Sequence, residues 1–201
     1  MARYTGPKRR LSRRAGIPLF AKDEEFLARK GAVAPGVHGN PRRKPSEYAV
    51  QLREKQKAKW MYGILERQFR KYFDEASRIK GATGEALLRQ LELRLDNVVF
   101  RLGLAKSRNQ GRQFVTHGKI LVNGKKLDIP SYQVVVGEEI TLKADMLDNP
   151  SVKESLDLVK SEDLPAWLKR TGKIGKIVRS PERADLITPI NEQLIVEFYS
   201  R

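Results

Sequence analysis

The sequence predicts an α+β fold, mainly helical in its first part, with a helix-plus-small-sheet module in its second. Three observations carry this. Apolar residues recur at helical spacing from about residue 46 to residue 102, an Asn-Gly turn lies between short β-branched runs at 123–124, and residues 1–45 are rich in proline, glycine and arginine with little sustained periodicity. The 201 residues leave room for one or two domains with a real core.

In residues 1–45, a basic N-terminal extension, Leu11, Ile17, Leu19, Phe20, Phe26 and Leu27 offer at most a small satellite cluster. Ser46 is an N-cap for a helix running toward residue 80 and interrupted near Gly63, with Leu65, Phe69, Tyr72, Phe73 and Ala76 as its apolar stripe. Trp60 and Tyr62 have the rings to stack on bases, but core packing is the favoured reading for both. A loop at 81–84 follows, with Thr83 as the next cap. Leu88, Leu91, Leu95, Val98, Val99 and Leu102 then fall on one stripe of a single amphipathic helix. Ser107 and Gln110 form a capping box for a second helix, which starts at Arg108, stops at Gly118 and turns Phe114 and Val115 inward.

Beyond it, residues 120–122 run as a strand into Asn123-Gly124, a pair that accepts the positive φ angles of a tight hairpin. Further strands are expected at 125–129, 134–136 and 140–142. A short helix around 152–159, a proline-bounded Trp167, a strand at 173–178 and a connection over 181–189 come next. Asn191 caps a terminal helix whose Leu194, Ile195 and Phe198 dock on a core.

The formal net charge is +16 and the isoelectric point near 10.2, which calls for a polyanionic partner, nucleic acid above all. The charge is graded along the chain. Residues 1–45 hold 12 Lys and Arg against 3 acids, whereas residues 143–201 hold 10 of each, so the first half is the side that meets phosphates. With no cysteine, disulfides, thiolate metal sites and a cysteine nucleophile are excluded. The N-terminus lacks an apolar leader, and no run approaches the roughly 18 apolar residues that cross a bilayer.

Catalytic patterns are missing as well. There is no glycine-rich phosphate cradle and no nucleophile elbow, and the two histidines, His38 and His117, lie far apart. His38 reads as a loop residue, and the acid pairs Glu24-Glu25, Glu138-Glu139 and Glu162-Asp163 read as solvated turns.

The second helix of the later module sets Arg108 and Arg112 four apart on one face, beside Asn109, Gln113 and Thr116, with Lys119 just past its end. These side chains reach phosphates, and the start of the helix adds unpaired N–H groups and a positive dipole end. In the extension, Arg3, Lys8, Arg9, Arg10, Arg13, Arg14, Arg42 and Arg43 supply the densest positive charge.

The string RLDNVVFRLGLAKSRNQGRQFVTHGKILVNGKKLDIPSY closely resembles the RNA-binding module named after the fourth protein of the small ribosomal subunit, in its bacterial form. One departure is Gly111, where that family usually carries alanine. LREKQKAKWMYGILERQFRKYF is similar to the family's first helical domain, and the ending NEQLIVEFYSR resembles the family's as well. The resemblance implies a helical domain over 46–90 completed by 180–201, with the RNA-binding module inserted at 91–179. Leu194 and Phe198 would then pack on the stripe around Phe69 and Phe73.

It also implies rRNA contact for Arg53, Lys55, Lys57 and Lys59 and for Arg67, Arg70 and Lys71. Many relatives bind zinc through two cysteine pairs near the N-terminus. The matching positions here are Arg9, Ser12, Phe26 and Gly31, which implies no zinc and no cofactor.

Function is implied in the same way: a non-catalytic component of the small ribosomal subunit in the cytoplasm, binding rRNA of the 5′ domain early in assembly and influencing decoding accuracy. Its neighbours would be the subunit's fifth protein and mRNA where it enters the subunit, with no membrane partner. Recognition would rest on the shape and phosphates of folded RNA. An RNA-binding regulator or ribosome-associated stress factor is the alternative. An RNA-modifying enzyme is the weaker one, because such modules also occur fused to pseudouridine synthases and aminoacyl-tRNA synthetases.

Overall fold

The computed structural model describes residues 4–37, 39, 44–146, 148–159, 163–186 and 189–201. The chain divides into two compact units, Met1–Gly84 with Thr188–Arg201, and Glu85–Ile187.

In the first unit, helices α1 (Lys8–Ala15) and α2 (Glu24–Lys30) give the extension more order than its composition suggests. Leu11, Leu19 and Leu27 are buried, and α1 lies against α3. Ser12, fully buried, donates to Asp23 Oδ2 at 2.5 Å and accepts from Leu19 N–H at 3.3 Å. Helix α3 (Glu47–Tyr62) starts at Ser46, whose Oγ accepts from Ala49 N–H, and ends at Gly63 in the left-handed conformation at φ 65°. The cap should contribute about 1 kcal/mol. Ser46→Ala should therefore lower unfolding free energy by that amount in urea titrations, with the m-value unchanged.

Helix α4 (Glu66–Ala76) buries Phe69, Tyr72, Phe73 and Ala76. The terminal helix α9 (Glu192–Tyr199) is capped by Asn191 Oδ1, which accepts from Gln193 and Leu194 N–H, and it packs on α3. Tyr199 is the aromatic side chain that reaches Phe73, with ring centroids 4.5 Å apart, whereas the family resemblance implied Phe198. Phe198 instead meets Tyr48 at 5.5 Å, because the two adjacent aromatics leave the helix in different directions.

In the second unit, the stripe from Leu88 to Leu102 is fully buried, yet it belongs to two helices, α5 (Thr83–Glu92) and α6 (Leu95–Arg101). Tertiary hydrogen bonds break the helix between them. Leu93 C=O accepts from Val134 N–H, while Leu95 and Asp96 N–H donate to the carbonyls of Tyr132 and Pro130. Arg94 takes an extended backbone conformation and pairs with Gln133 as an isolated bridge.

Helix α7 (Arg108–Thr116) is capped by Ser107 Oγ, but the Gln110 carbonyl accepts from Lys106 N–H, one residue earlier than a capping box requires. A Cβ built on Gly111 would stand 2.7 Å from the Asp96 carbonyl oxygen. The glycine's helix-propensity cost of about 1 kcal/mol thus accompanies a close approach of α7 to α6.

Strands β1 (Ile120–Val122), β2 (Lys125–Lys126), β3 (Glu139–Leu142), β4 (Leu168–Thr171) and β5 (Ile174–Ile177) form one antiparallel sheet in the order β2-β1-β3-β5-β4. The Asn123-Gly124 turn has φ 49° and 77°, as a two-residue hairpin of this twist needs. Of the strands expected at 125–129 and 134–136, the first shrinks to β2 and the second does not form: Val134 N–H bonds instead to the Leu93 carbonyl at the α5–α6 break, next to the Gln133 bridge to Arg94. Strand β4 was not foreseen; Gly172 at φ 61° turns it back onto β5.

Ile120, Ile140, Ile177, Trp167 and the α6 and α7 stripes make the core, joined by Val152 of α8 (Pro150–Leu158). Buried Arg170 donates to the carbonyl of Leu102 at 2.7 Å and to those of Leu156 and Val159, so one guanidinium serves the ends of both α6 and α8.

Candidate nucleic-acid interface

The cations that the sequence singles out fall into two physical classes. Arg10 and Arg14 on α1, Arg53 on α3, and Arg67 and Arg70 on α4 are exposed, and among the described residues none of them is in an ion pair. Lys71 is also exposed, with Glu75 3.7 Å away. Asn109 is exposed at the start of α7.

The rest make contacts within the protein, although the Arg9 side chain stays 55% exposed. Arg9 lies 4.3 Å over the Phe26 ring and 3.6 Å from Asp23, Lys8 lies 5.4 Å from the Phe20 ring, and Arg13 donates to the carbonyls of Val33 and Ala34. Two of the four positions matched to zinc-binding cysteines, Arg9 and Phe26, therefore stack on each other, while Ser12 bonds to Asp23. Among the described residues, no group of three or more His, Asp or Glu is placed to hold a metal ion, and no helix is long and apolar enough to cross a membrane. Arg3, His38, Arg42 and Arg43 lie outside the described residues.

The lysine run on α3 also points inward. Lys55, 5% exposed, donates to Glu66 Oε1 at 2.6 Å; Lys59 donates to Glu66 Oε2 at 2.9 Å; and Lys57 donates to Glu54 Oε2 at 2.7 Å. Lys55 Nζ is also 4.6 Å from the Phe198 ring. Burial alone would raise the Glu66 pKa, but hydrogen bonds from Lys55, Lys59 and Tyr199 outweigh it and hold the carboxyl at about 2. Burial and the Glu66 bond together push the Tyr199 phenol up.

The folded pKa of Glu66 is depressed, so its stabilisation is fully present above the unfolded value of 4.5 and is lost as pH falls toward about 2. Its side chain is 44% exposed, and solvent screening reduces the contribution to about 1–2 kcal/mol. Glu66→Gln should lower stability by that amount at pH 7, and the gap from the native chain should close between pH 4.5 and 2 in urea titrations.

Around α6 and α7 lies a network that sequence reasoning missed. Fully buried Arg94 grips Asp96 with Nε at 3.0 Å and Nη2 at 2.7 Å. Fully buried Glu92 accepts from Arg101 at 3.0 and 2.7 Å and from Asn97 Nδ2 at 2.6 Å. Onto this base the two predicted phosphate-binding arginines are fastened. Arg108 Nε donates to Asn97 Oδ1 at 2.7 Å with its guanidinium 4.8 Å from the Phe100 ring, and Arg112 Nη1 donates to Asp96 Oδ2 at 3.3 Å.

Arg108 and Arg112 are thus part of the fold as well as partly exposed, and replacing both with alanine should cost stability too. The sequence signal was the polar string Glu92, Arg94, Asp96, Asn97 inside an apolar stripe. Lys119, past the end of α7, pairs with Asp145 at 2.6 Å, and that bond holds Asp145 below the usual carboxylate range.

Residues 3–92 match the family described as the ribosomal protein S4/S9 N-terminal domain, and residues 93–140 match the S4 domain. Among curated relatives, the small ribosomal subunit protein uS4 of Heliobacterium modesticaldum is 54% identical over 208 residues, covering 100% of both chains. The uS4 of Natranaerobius thermophilus is 51% identical over 209 residues, and the uS4A of Clostridium botulinum 54% over 209, again covering 100% of each chain. With both of its parts matched and whole-length relatives at this identity, the chain belongs to the uS4 family of ribosomal proteins.

Proposed function

We propose that this protein is a non-catalytic, rRNA-binding structural component of the small ribosomal subunit, working in the cytoplasm. The observation that carries the reading is the set of exposed arginines on α1, α3 and α4 that have no ion-pair partner among the described residues, in a chain of net charge +16. Such groups release counterions from a polyanion and follow its shape, as recognition of folded RNA requires.

The finer assignment is early binding to the 5′ domain, with effects on decoding accuracy, the subunit's fifth protein and incoming mRNA as neighbours, and a helical domain over 46–90 and 180–201 that holds the inserted module of 91–179. It rests on family likeness. Hydroxyl-radical footprinting of the full-length protein on small-subunit rRNA tests it. Protection should concentrate in the 5′ domain at 150 mM salt, and equal affinity for duplex DNA of the same length would overturn the reading.

A further inference from the structure

The lysines flanking α7 each have an acid held against them, and both acids come from the same segment. Asp145 pairs with Lys119 just past the helix, and Glu154 pairs with Lys106 just before it. Neither acid is there by chance of a long side chain. Lys143 N–H donates to the Lys119 carbonyl at 2.9 Å and Met146 is buried, which fixes the turn carrying Asp145. Val152 is buried and Ser151 Oγ accepts from Gln110 Nε2 at 2.7 Å, which fixes α8 and Glu154 at the start of α7. The four side chains are 34–63% exposed, so each pair is weak and open to exchange with another anion.

We propose that Asp145 and Glu154 occupy the positions of two RNA phosphates in the free protein, and that RNA displaces them to engage Lys106 and Lys119 together. Lys106 becomes a contact in its own right. The arrangement selects for a ligand that sets phosphates at both ends of α7 at once, since an anion reaching one end must compete with an acid that is always in place. The proposal rests on the rRNA-binding reading above.

The test compares the full-length protein with Asp145→Asn/Glu154→Gln, and with a charge-matched control, Asp128→Asn/Glu85→Gln, at two exposed acids elsewhere on the same unit. Affinity for a small-subunit rRNA transcript is measured across a salt series. The first variant should bind about three- to tenfold tighter than the control. Adding Lys106→Gln/Lys119→Gln should abolish that gain. Affinity no better than the control, or a gain that survives loss of the two lysines, would overturn the proposal.

Amine labelling of the unmutated protein gives a reading independent of variant folding. Lys106 and Lys119 should become protected when rRNA is added, and unchanged labelling in a bound complex counts against the proposal. If the unmutated chain shows no preference for rRNA over duplex DNA, it is the rRNA-binding reading that fails.

Discussion

Asp96→Ala should remove about 3–5 kcal/mol from the unfolding free energy, because it breaks a buried ion pair by taking away the carboxylate that accepts from Nε and Nη2 of the fully buried Arg94. For a protein whose total stability is of order 5–15 kcal/mol, that loss approaches unfolding. The same change also removes the acceptor of Arg112 Nη1, which shares Asp96 Oδ2. Adding Arg94→Met should recover most of the loss, since the buried charge that Asp96 balanced leaves with it. Urea titration of the three chains measures this. Asp96→Ala alone should lower the midpoint by about 2 M, and a shift below about 0.3 M would mean that the ion pair is not buried in solution. Surface ion pairs such as Lys71 with Glu75 make the contrast, because at 75% and 43% exposure their loss should stay within about 0.5 kcal/mol.

What the sequence displayed and what it hid divide along the range of the interactions involved. Ser46, Gly63, Ser107, Asn123-Gly124 and Asn191 mark their own turns and helix ends, because a cap or a positive φ is decided within four residues. The break at Leu93-Arg94 was invisible, since the carbonyls and N–H groups that compete with the helix come from residues 130–134. Strand β4 was hidden in the same way: only its pairing with β5 makes Leu168–Thr171 extended.

The interface shows a parallel split. Composition locates the positive side, and the exposed arginines of α1, α3 and α4 follow from it. Whether a given lysine faces solvent depends on carboxylates elsewhere in the chain. Lys55 and Lys59 turn to Glu66, on the next helix, and Lys119 turns to Asp145, 26 residues on. A side chain's charge is read directly from sequence, but its partner is not.

The exposed arginines give the second large effect. Arg10, Arg14, Arg53, Arg67 and Arg70 make no ion pair among the described residues, so changing all of them to glutamine should leave the urea midpoint within about 0.3 M of the native value. Their effect on RNA should be severe. Each phosphate contact contributes about 0.7–0.9 to the slope of log affinity against log salt, so the slope should flatten by about 4. A protein making about 6–10 such contacts loses roughly 10³- to 10⁵-fold in affinity between 50 and 200 mM salt, and the variant should lose about 200-fold less than the native protein over that range while binding more weakly at every salt. Filter binding across the salt series gives both slopes. A variant with the native slope would move the phosphate contacts off α1, α3 and α4 and onto the cations that the fold holds in place around α6 and α7.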